Sequence, residues 1–203
     1  MPRASFKHRV LLVDDDPHLR KLLQEALESD DFEICTAEDG FEALAVLRGA
    51  LPEVIVCDRQ MPNMSGVELL SILRRRFPHI GVVAMSGDLQ SSSRHPQVIA
   101  DAFLAKPFKL VELVQTIREL IARFPIRTQG AKIESVPFWI APQKGYCVIT
   151  CTECLRSFLS IVGEATEEAE QRTLCTHCSA ELHYVVDRSP IKLKAKSKST
   201  SIS

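Results

Sequence analysis

Carboxylates, one hydroxyl and one lysine form the first set of side chains whose types and positions could do chemistry. Each of them follows a short apolar run of the sequence: Asp14, Asp15, Asp16, Asp58, Ser86 and Lys106. Carboxylates that converge repel one another unless a cation joins them, and hard oxygen ligands with room for water suit Mg²⁺. Such a cation would offset the charge of an incoming phosphoryl group, whose oxygens a lysine and a hydroxyl could hold. Because carboxylates form acyl phosphates, Asp58 is predicted to be the nucleophile of a phosphoryl acceptor site.

Two Cys-x₂-Cys pairs separated by twenty residues form the second set: Cys151, Cys154, Cys175 and Cys178. Four thiolates at this spacing can converge on one ion, which is the pattern of a structural Zn²⁺ site with no open position for a reaction. About forty residues surround the pairs, too few to fold on an apolar core alone, so the metal would supply stability. Iron in the same Cys₄ site is the alternative. A disulfide switch is less favoured because a reducing compartment is expected.

Other cysteines and histidines are predicted to stay outside this site. His177 lies within the second pair but is expected to be a solvated turn residue, and His183 falls in a predicted strand. Cys147 precedes the first pair by four residues and is predicted either as a strand residue or as an alternate ligand. Cys35 and Cys57 lie in predicted strands and are expected to be inert core residues.

Short apolar runs alternate with amphipathic helical patterns over residues 9–124, and this alternation positions the carboxylates. The predicted strands cover 10–13, 32–37, 54–57, 80–85 and 102–105, and the predicted helices cover 17–27, 41–47, 67–77 and 110–124, with a short helix between 90 and 100. Five strands alternating with helices imply right-handed crossovers and a doubly wound parallel α/β sheet. Ligands of such sheets bind at the carboxyl ends of the strands. Asp16 is predicted to cap the first helix ahead of Pro17.

Four motifs of this region resemble the receiver domain of two-component response regulators. They are Val-Asp-Asp-Asp-Pro (13–17), Cys-Asp-Arg-Gln-Met-Pro-Asn-Met-Ser-Gly (57–66), Met-Ser-Gly (85–87) and Phe-Leu-Ala-Lys-Pro-Phe (103–108). They occur in order at the right separations, and the resemblance covers about residues 8–124. It implies a flavodoxin-like fold and a phosphoryl group accepted from a sensor histidine kinase.

The resemblance assigns the phosphorylated position to Asp58. It makes Asp15 a direct Mg²⁺ ligand, Asp14 a ligand through water, and Gln60 a ligand through its backbone carbonyl. Mg²⁺-dependent self-phosphorylation and dephosphorylation are the only reactions expected. No P-loop, cyclase-like, phosphodiesterase-like or Ser/His/Asp pattern follows residue 124, so an enzymatic output is not predicted.

The resemblance also assigns a switch at the last two strands. Ser86 would bond the phosphoryl group, Lys106 would pair with it, and Phe103 would turn inward when that bond forms. In this family the bond between Lys106 and Pro107 is commonly cis. The segment between Ser86 and Lys106 is shorter than usual and contains Pro96, so the fourth helix is expected to be abbreviated.

The chain is predicted to divide into four segments. Residues 1–125 would form the receiver, and residues 126–145 a linker with no sustained periodicity. Residues 146–187 would form the Cys₄ module, and 188–203 a disordered basic tail.

The Cys₄ module resembles a zinc ribbon, a small β domain held between two Cys-x₂-Cys turns. Strand-like runs at 146–150 and 182–186 flank the two pairs. The glycine that often follows each turn in that family is replaced by Leu155 and Ser179. Residues 164–172 are predicted as a helical insertion where a ribbon usually has a hairpin.

Composition alone points to no class of partner, because 25 basic and 26 acidic residues leave a net charge of −1. Zinc ribbons bind protein or nucleic acid, and the fold alone does not indicate which of the two is the partner. A protein output partner is favoured because four glutamates cluster within 164–170. Nucleic acid is the alternative, since lysines alternate over 192–198 and could contact phosphates, which would make the chain a phosphorylation-controlled transcriptional regulator.

No run reaches the ~20 apolar residues of a membrane helix and no signal peptide is recognisable, so a cytoplasmic protein without a membrane partner is predicted.

Overall fold

A five-stranded parallel sheet organises the first part of the chain. The computed structural model describes residues 7–29, 31–87, 100–123, 138–140, 142–143, 146–161 and 170–186. The strands of this sheet are β1 (His8–Val13), β2 (Phe32–Ala37), β3 (Val54–Asp58), β4 (Gly81–Ser86) and β5 (Ala102–Ala105), in the order β2-β1-β3-β4-β5. The central strands are aliphatic and buried because helices cover both faces. The predicted doubly wound α/β sheet is confirmed.

Three of the four described helices around this sheet begin at side-chain caps. They are α1 (Pro17–Leu27), α2 (Gly40–Gly49), α3 (Gly66–Arg76) and α4 (Leu110–Arg123). Asp16 caps α1, as predicted, and Asp39 caps α2. Ser65 and Glu68 form a reciprocal capping box at the start of α3. None of these helices is long and apolar enough to cross a bilayer.

Two hydrophobic clusters fill the spaces between the sheet and its helices. One cluster lies on the side of α2 and α3 and includes Leu44, Leu47, Leu69 and Leu73; the other lies on the side of α1 and α4 and includes Leu23, Leu27, Leu113 and Ile117. The apolar stripes of the helices face the sheet, as their helical spacing predicts. The packed sheet holds its strand ends in fixed relative positions.

Two three-stranded sheets form the second part of the described chain. Their strands are β6 (Phe138–Ile140), β7 (Pro142–Gln143), β8 (Tyr146–Thr150), β9 (Ser157–Ile161), β10 (Gln171–Leu174) and β11 (Glu181–Val186). One sheet has the order β10-β11-β6 and the other has the order β7-β8-β9. Side chains from both sheets share one core, which includes Ile149 and Leu182. The strands predicted at 146–150 and 182–186 are present in β8 and β11.

Strands β6 and β7 differ from the prediction that residues 126–145 form a linker. β6 pairs in parallel with β11, and β7 pairs antiparallel with β8. Their backbone groups complete the strand ladders of the two sheets, so these short segments belong to the module and are not a free connection.

The helix predicted over 164–172 also differs from the structure at its described end. Gln171 and Arg172 lie in β10, where they pair with Tyr184 and His183 of β11. Antiparallel pairing with β11 prevails over the local helical pattern at these residues. The rest of that insertion, the short helix predicted between 90 and 100, and the basic tail lie outside the described residues.

Candidate functional site

Three carboxylates meet at the carboxyl edge of the parallel sheet. Strands β1 and β3 are neighbours, so Asp14 and Asp15, which follow β1, lie beside Asp58 at the end of β3. One oxygen of each carboxylate lies within 4.8 Å of the others. Asp14 and Asp58 are each 1% exposed, whereas Asp15 reaches solvent. This is a cluster of negative charge, open on one side, of the kind that hard cations bind.

Lys106 supplies the positive charge within this cluster. Its backbone N–H donates to the Ser86 carbonyl at the end of β4, over 2.8 Å. Its Nζ donates to Oδ2 of Asp14 and to Oδ2 of Asp58, both at 2.7 Å. Burial acts to lower the pKa of Lys106, but the hydrogen bonds and charges of the two carboxylates outweigh it and raise that pKa. Lys106 is therefore held in its charged form between the two buried acids.

The ionised form of Asp14 is disfavoured in this site. Burial raises the pKa of Asp14, and the bonds from Lys106 and from the backbone N–H of Asp16 offset this only in part. The neighbouring charge of Asp58 also raises the pKa of Asp14. The backbone carbonyl of Asp14 accepts a hydrogen bond from Nη1 of Arg20 at 2.6 Å, which holds the start of this turn. A cation beside the carboxylates would relieve the repulsion.

The other residues predicted for this site lie on the loop after β3 and on the last two strands. Oδ1 of Asp58 accepts a hydrogen bond from the backbone N–H of Gln60 at 3.1 Å. Ser86 ends β4, the strand that pairs with β3, and its side chain is buried. Phe103 lies on β5 and is 46% exposed. The bond between Lys106 and Pro107 is cis.

The loop after Asp58 is anchored by residues that were not singled out from the sequence. Nδ2 of Asn63 donates to Oδ2 of Asp39, the cap of α2, at 2.7 Å. The φ of Asn63 is 61°, a left-handed conformation that asparagine tolerates. The backbone N–H of Gly66 donates to the carbonyl of Arg59 at 3.2 Å, and a side chain at Gly66 would overlap the backbone of Asp58. Asparagine and glycine within this motif are the signals that could have identified these anchors.

Four cysteine sulfurs converge in the second part of the chain. Sγ of Cys151 lies 3.6 Å from Sγ of Cys178, and Sγ of Cys154 lies 3.8 Å from Sγ of Cys175. All four sulfurs lie within 4.8 Å of one another. Zn–S bonds of about 2.3 Å in a tetrahedron separate the sulfurs by about 3.8 Å. The cluster therefore has the size of a tetrahedral zinc site.

The two Cys-x₂-Cys segments fold into the same turn, the first knuckle (151–156) and the second knuckle (175–180). The backbone N–H of Leu155 and that of Ser179 each donate to the carbonyl of the first cysteine of their knuckle, at 2.9 Å. Leu155 has a φ of 55° and Ser179 a φ of 60°, in the left-handed region that favours glycine. Both knuckles thus keep this backbone although the usual glycine is absent.

Backbone N–H groups are directed at the first sulfur of each knuckle. The N–H of Glu153 donates to Sγ of Cys151, and that of His177 donates to Sγ of Cys175, each at 3.3 Å. Burial raises the pKa of the Cys151 thiol. Burial acts in the same direction on Cys175, but the N–H groups of His177 and Cys178 help to outweigh it and lower the pKa of Cys175 to about 7. These N–H bonds favour the thiolate form that metal ions bind.

The neighbouring cysteine and histidines have other partners. Cys147 is buried on β8, within the core shared by the two sheets. Nε2 of His177 lies 3.3 Å from the backbone carbonyl oxygen of Ser157. Nδ1 of His183 lies 2.6 Å from Oε1 of Glu170. None of the three belongs to the four-cysteine cluster among the described residues.

Known proteins match the part of the chain that forms the parallel sheet. The family model described as the response regulator receiver domain matches residues 10–118. The transcriptional regulatory protein PrrA of Mycobacterium tuberculosis is 37% identical over 117 residues, which cover 57% of this chain and 50% of PrrA. The DNA-binding transcriptional regulator NtrC of Salmonella typhimurium is 34% identical over 127 residues, which cover 62% of this chain and 27% of NtrC. The chain spans about half or less of the length of these curated relatives.

A solved structure matches the same fold. The response regulator protein TrrA from Thermotoga maritima, in complex with Mg²⁺–BeF, is 31% identical to this chain. The alignment covers 56% of this chain and 98% of TrrA, with a TM-score of 0.52.

Proposed function

This chain belongs to the response regulator receiver domain family, and from that premise we propose that Asp58 accepts a phosphoryl group from a sensor histidine kinase. Output would pass through the Cys₄ module. The observation that carries the first part is the position of Asp58: a buried carboxylate at a strand end, 2.7 Å from Nζ of Lys106 and beside two further acids. Histidine kinases are the donors for receiver domains in two-component signalling.

The transfer is an attack by a carboxylate oxygen of Asp58 on the phosphorus of a phosphohistidine. A P–O bond forms as the P–N bond breaks, and the imidazole leaves with the electron pair of that bond and takes up a proton. Lys106 would pair with the phosphoryl oxygens, and Ser86, on the adjoining strand end, would bond them and draw Phe103 inward. Self-phosphorylation and hydrolysis of the acyl phosphate are the only reactions that we propose for this chain.

A magnesium ion fits the carboxylate cluster. Asp14, Asp15 and Asp58 offer oxygens within 4.8 Å of one another, and the backbone carbonyl of Gln60 would complete the protein ligands. When bound, the cation would neutralise the charge that accumulates between these carboxylates and the phosphoryl oxygens. The Mg²⁺–BeF complex of the related TrrA supports this ligand chemistry.

Acetyl phosphate labelling of the full chain tests the acceptor. Wild-type protein is expected to be labelled with Mg²⁺ and to remain unlabelled with EDTA. Asp58→Asn should lose the label and keep a cooperative unfolding transition. Asp31→Asn is the matched control, since it removes an exposed carboxylate that pairs with Arg118, and it should label normally. Labelling of Asp58→Asn at the wild-type level would refute the assignment.

For the four cysteines we propose a structural Zn²⁺ ion, with iron as the alternative metal. The first knuckle joins β8 to β9, and the second joins β10 to β11, so one ion would hold the two sheets together. Sulfur separations of 3.6 Å and 3.8 Å support tetrahedral thiolate ligation. Four reduced thiols also suit the reducing cytoplasm, where we propose that the protein works.

Elemental analysis of purified protein tests the metal. One zinc per chain is expected, and Cys151→Ser should lose it. Cys35→Ser changes a cysteine outside the cluster and should keep the zinc. Iron in place of zinc would show that the four cysteines bind iron. An unchanged zinc content in Cys151→Ser would contradict the Cys₄ site.

A protein partner is the output target that we propose for the Cys₄ module. Three of its described apolar side chains are largely exposed: Leu159 at 70%, Ile161 at 88% and Leu174 at 62%. Leu159 and Ile161 lie on β9, whereas Leu174 lies on β10 of the other sheet. Groups of exposed apolar side chains are typical of protein interfaces. Tyr146 is also exposed and pairs with Ile161 across β8 and β9.

Nucleic acid is the second candidate target. The relatives PrrA and NtrC are named as transcriptional regulators, although this chain spans only 50% and 27% of their lengths. Titration of the phosphorylated chain with mixed-sequence duplex DNA at two salt concentrations separates the candidates. Weak binding that salt abolishes is expected. Tight binding that is lost when residues 188–203 are removed would favour the transcriptional alternative.

A further inference from the structure

Leu155 connects the Cys₄ module to the receiver. It follows Cys154 in the first knuckle and is 6% exposed. It belongs to the hydrophobic cluster on the side of α2 and α3, the cluster that contains Leu44 and Leu73. Its backbone carbonyl accepts a hydrogen bond from Nη1 of Arg48, near the end of α2, at 3.0 Å. The first knuckle therefore contacts the receiver through both a side chain and its backbone.

The two knuckles differ at this position. Ser179 is the equivalent residue of the second knuckle, has nearly the same left-handed φ, and is exposed. Glycine would adopt this backbone with less strain than leucine. The burial of Leu155 in the receiver cluster offsets that strain and gives a physical reason for a leucine in the first knuckle.

A second contact lies next to the first. Strand β6 runs alongside α3, and it pairs with β11, the strand that follows the second knuckle. The two sheets of the Cys₄ module thus reach the receiver at two helices, α2 and α3. These helices share one face of the parallel sheet.

The start of helix α2 is hydrogen-bonded to the loop that follows Asp58. Its cap, Asp39, accepts a hydrogen bond from Nδ2 of Asn63 at 2.7 Å. The backbone N–H of Gly40 donates to the carbonyl of Met64 at 3.3 Å. Both partners lie in the loop after Asp58, so a change in that loop acts directly on the start of α2.

Helix α3 begins at the same loop, because Gly66 packs against the backbone of Asp58. Both helices therefore contact the loop after Asp58 at their first residue. Both also contact the Cys₄ module, α2 at the first knuckle and α3 at β6. From Gly40 to Arg48 the rise along α2 is about 12 Å, over which a helix moves as a stiff element. A displacement of the loop would reach Leu155 through α2.

We propose that the first knuckle senses the phosphorylation state of Asp58 through α2, with Leu155 and Arg48 as the coupling contacts. The proposal rests on the phosphoacceptor role of Asp58. It adds that the receiver acts on the Cys₄ module through the contact between α2 and the first knuckle. Phosphorylation would change how firmly Leu155 is held, and with it the position of the Cys₄ module on α2 and α3.

Amide hydrogen exchange of the zinc-loaded full chain tests this coupling, with beryllium fluoride and Mg²⁺ as the probe of the phosphorylated state. The probe is expected to change exchange in the loop 58–66, in α2 and in the first knuckle together. The change in the knuckle should be roughly fivefold or more, which is the lower end of typical coupling between sites. By reciprocity, Leu155→Ala should change the affinity for the probe by up to the same factor, which is reached when the substitution releases the first knuckle completely.

Variants separate coupling from folding. Leu155→Ala and Arg48→Met should keep the response of the loop 58–66 and lose the response of the first knuckle. Arg48→Met changes only the receiver side, so it covers the case in which Leu155→Ala fails to fold. Leu22→Ala is the control, because Leu22 is an exposed leucine of α1, on the other side of the parallel sheet from α2 and α3, and it should keep both responses.

Two results would overturn the proposal in distinguishable ways. A response of the loop 58–66 without any change in the first knuckle of the wild-type chain would overturn the coupling and leave the phosphoacceptor role intact. The absence of a response in the loop itself would overturn both.

Discussion

At the scale of single residues, the carboxylate site at the edge of the parallel sheet has more negative than positive charge. Asp14 and Asp58 are buried and share one ammonium group, that of Lys106. One positive charge between two carboxylates leaves net negative charge at a position with little solvent to screen it. The same imbalance that suits cation binding lowers the stability of the metal-free fold.

Asp14→Asn should therefore stabilise the metal-free protein by about 1 kcal/mol, because it removes a buried charge and leaves Lys106 paired with Asp58. Since the pKa of Asp14 is raised in the folded state, its ionised form disfavours folding at neutral pH. The gain should shrink as the pH falls through the raised pKa toward the ordinary value of 3.8, where wild-type Asp14 is itself protonated. Thermal unfolding with and without Mg²⁺ measures the gain.

The same experiment includes its control. Mg²⁺ should stabilise the wild type more than Asp14→Asn. Asp16→Asn keeps the cap of α1, since asparagine caps as well as aspartate, and it should behave as the wild type. Equal stabilisation of Asp14→Asn and the wild type by Mg²⁺ would exclude Asp14 from the metal site.

Ser179→Gly should stabilise the second knuckle by roughly 0.5 to 1 kcal/mol, because glycine adopts a φ of 60° without strain from a Cβ atom. Denaturant unfolding of the zinc-loaded chain measures the effect. Thr173→Gly, in the extended strand β10, is the comparison and should destabilise. A loss of stability in Ser179→Gly would mean that the serine side chain contributes more than its backbone strain costs.

At the scale of elements, the start of α3 holds the loop 58–66 in place. The capping box of Ser65 and Glu68 fixes the first turn of the helix. Gly66 then allows the helix to approach the backbone of Asp58 more closely than any other residue type would. Helix capping and close approach thus act on the same strand end, the one that carries the Asp58 carboxylate.

Gly66→Ala is expected to destabilise the protein by about 1 to 3 kcal/mol, because its Cβ would overlap backbone atoms of Asp58 and Arg59 that cannot move freely. Acetyl phosphate labelling should slow in the same variant. Gly49→Ala is the matched control, since no described atom outside its own helix and chain neighbours lies within 4 Å of a Cβ atom at that position, and it should be neutral or slightly stabilising. Normal stability and labelling of Gly66→Ala would show that the loop tolerates displacement.

At the scale of the whole molecule, a metal ion would join two sheets that share only a small core. Each knuckle belongs to a different sheet, and the first knuckle also packs on the receiver. With a metal ion bound, the two sheets and α2 would form one mechanical unit. Apart from Leu155, the two hydrophobic clusters of the parallel sheet consist of residues of the receiver itself, so we expect the sheet to fold without that unit.

Removal of the metal should unfold the Cys₄ module and spare the parallel sheet. Structural zinc contributes roughly 10 kcal/mol or more to the folding of small domains at neutral pH. After chelation, amide exchange should become fast in β8 to β11 and faster in α2, while β1 and β3 stay protected. Loss of protection in β1 and β3 at the same time would show that the two parts fold as one.

Much of this organisation is local and was therefore predictable. The alternation of apolar runs and helical patterns determined the parallel sheet, and the carboxyl ends of its strands then had to bring Asp14 and Asp58 together. The spacing of the Cys pairs likewise determined that each knuckle could turn both sulfurs toward one point. These inferences succeed because periodicity and turn geometry depend on residues that are close in sequence.

The contacts between the two parts were decided only by the tertiary structure. Arg48 and Leu155 are 107 residues apart, and neither has a local pattern that indicates the other. Strands β6 and β7 are too short to be recognised by period, and they form because β11 and β8 offer free ladder edges. A leucine at a glycine position suggests only a departure from the ribbon family until the burial of its side chain is seen. Long-range packing selects among conformations that local sequence leaves equally favourable, and here it selects the surface by which the Cys₄ module contacts the receiver.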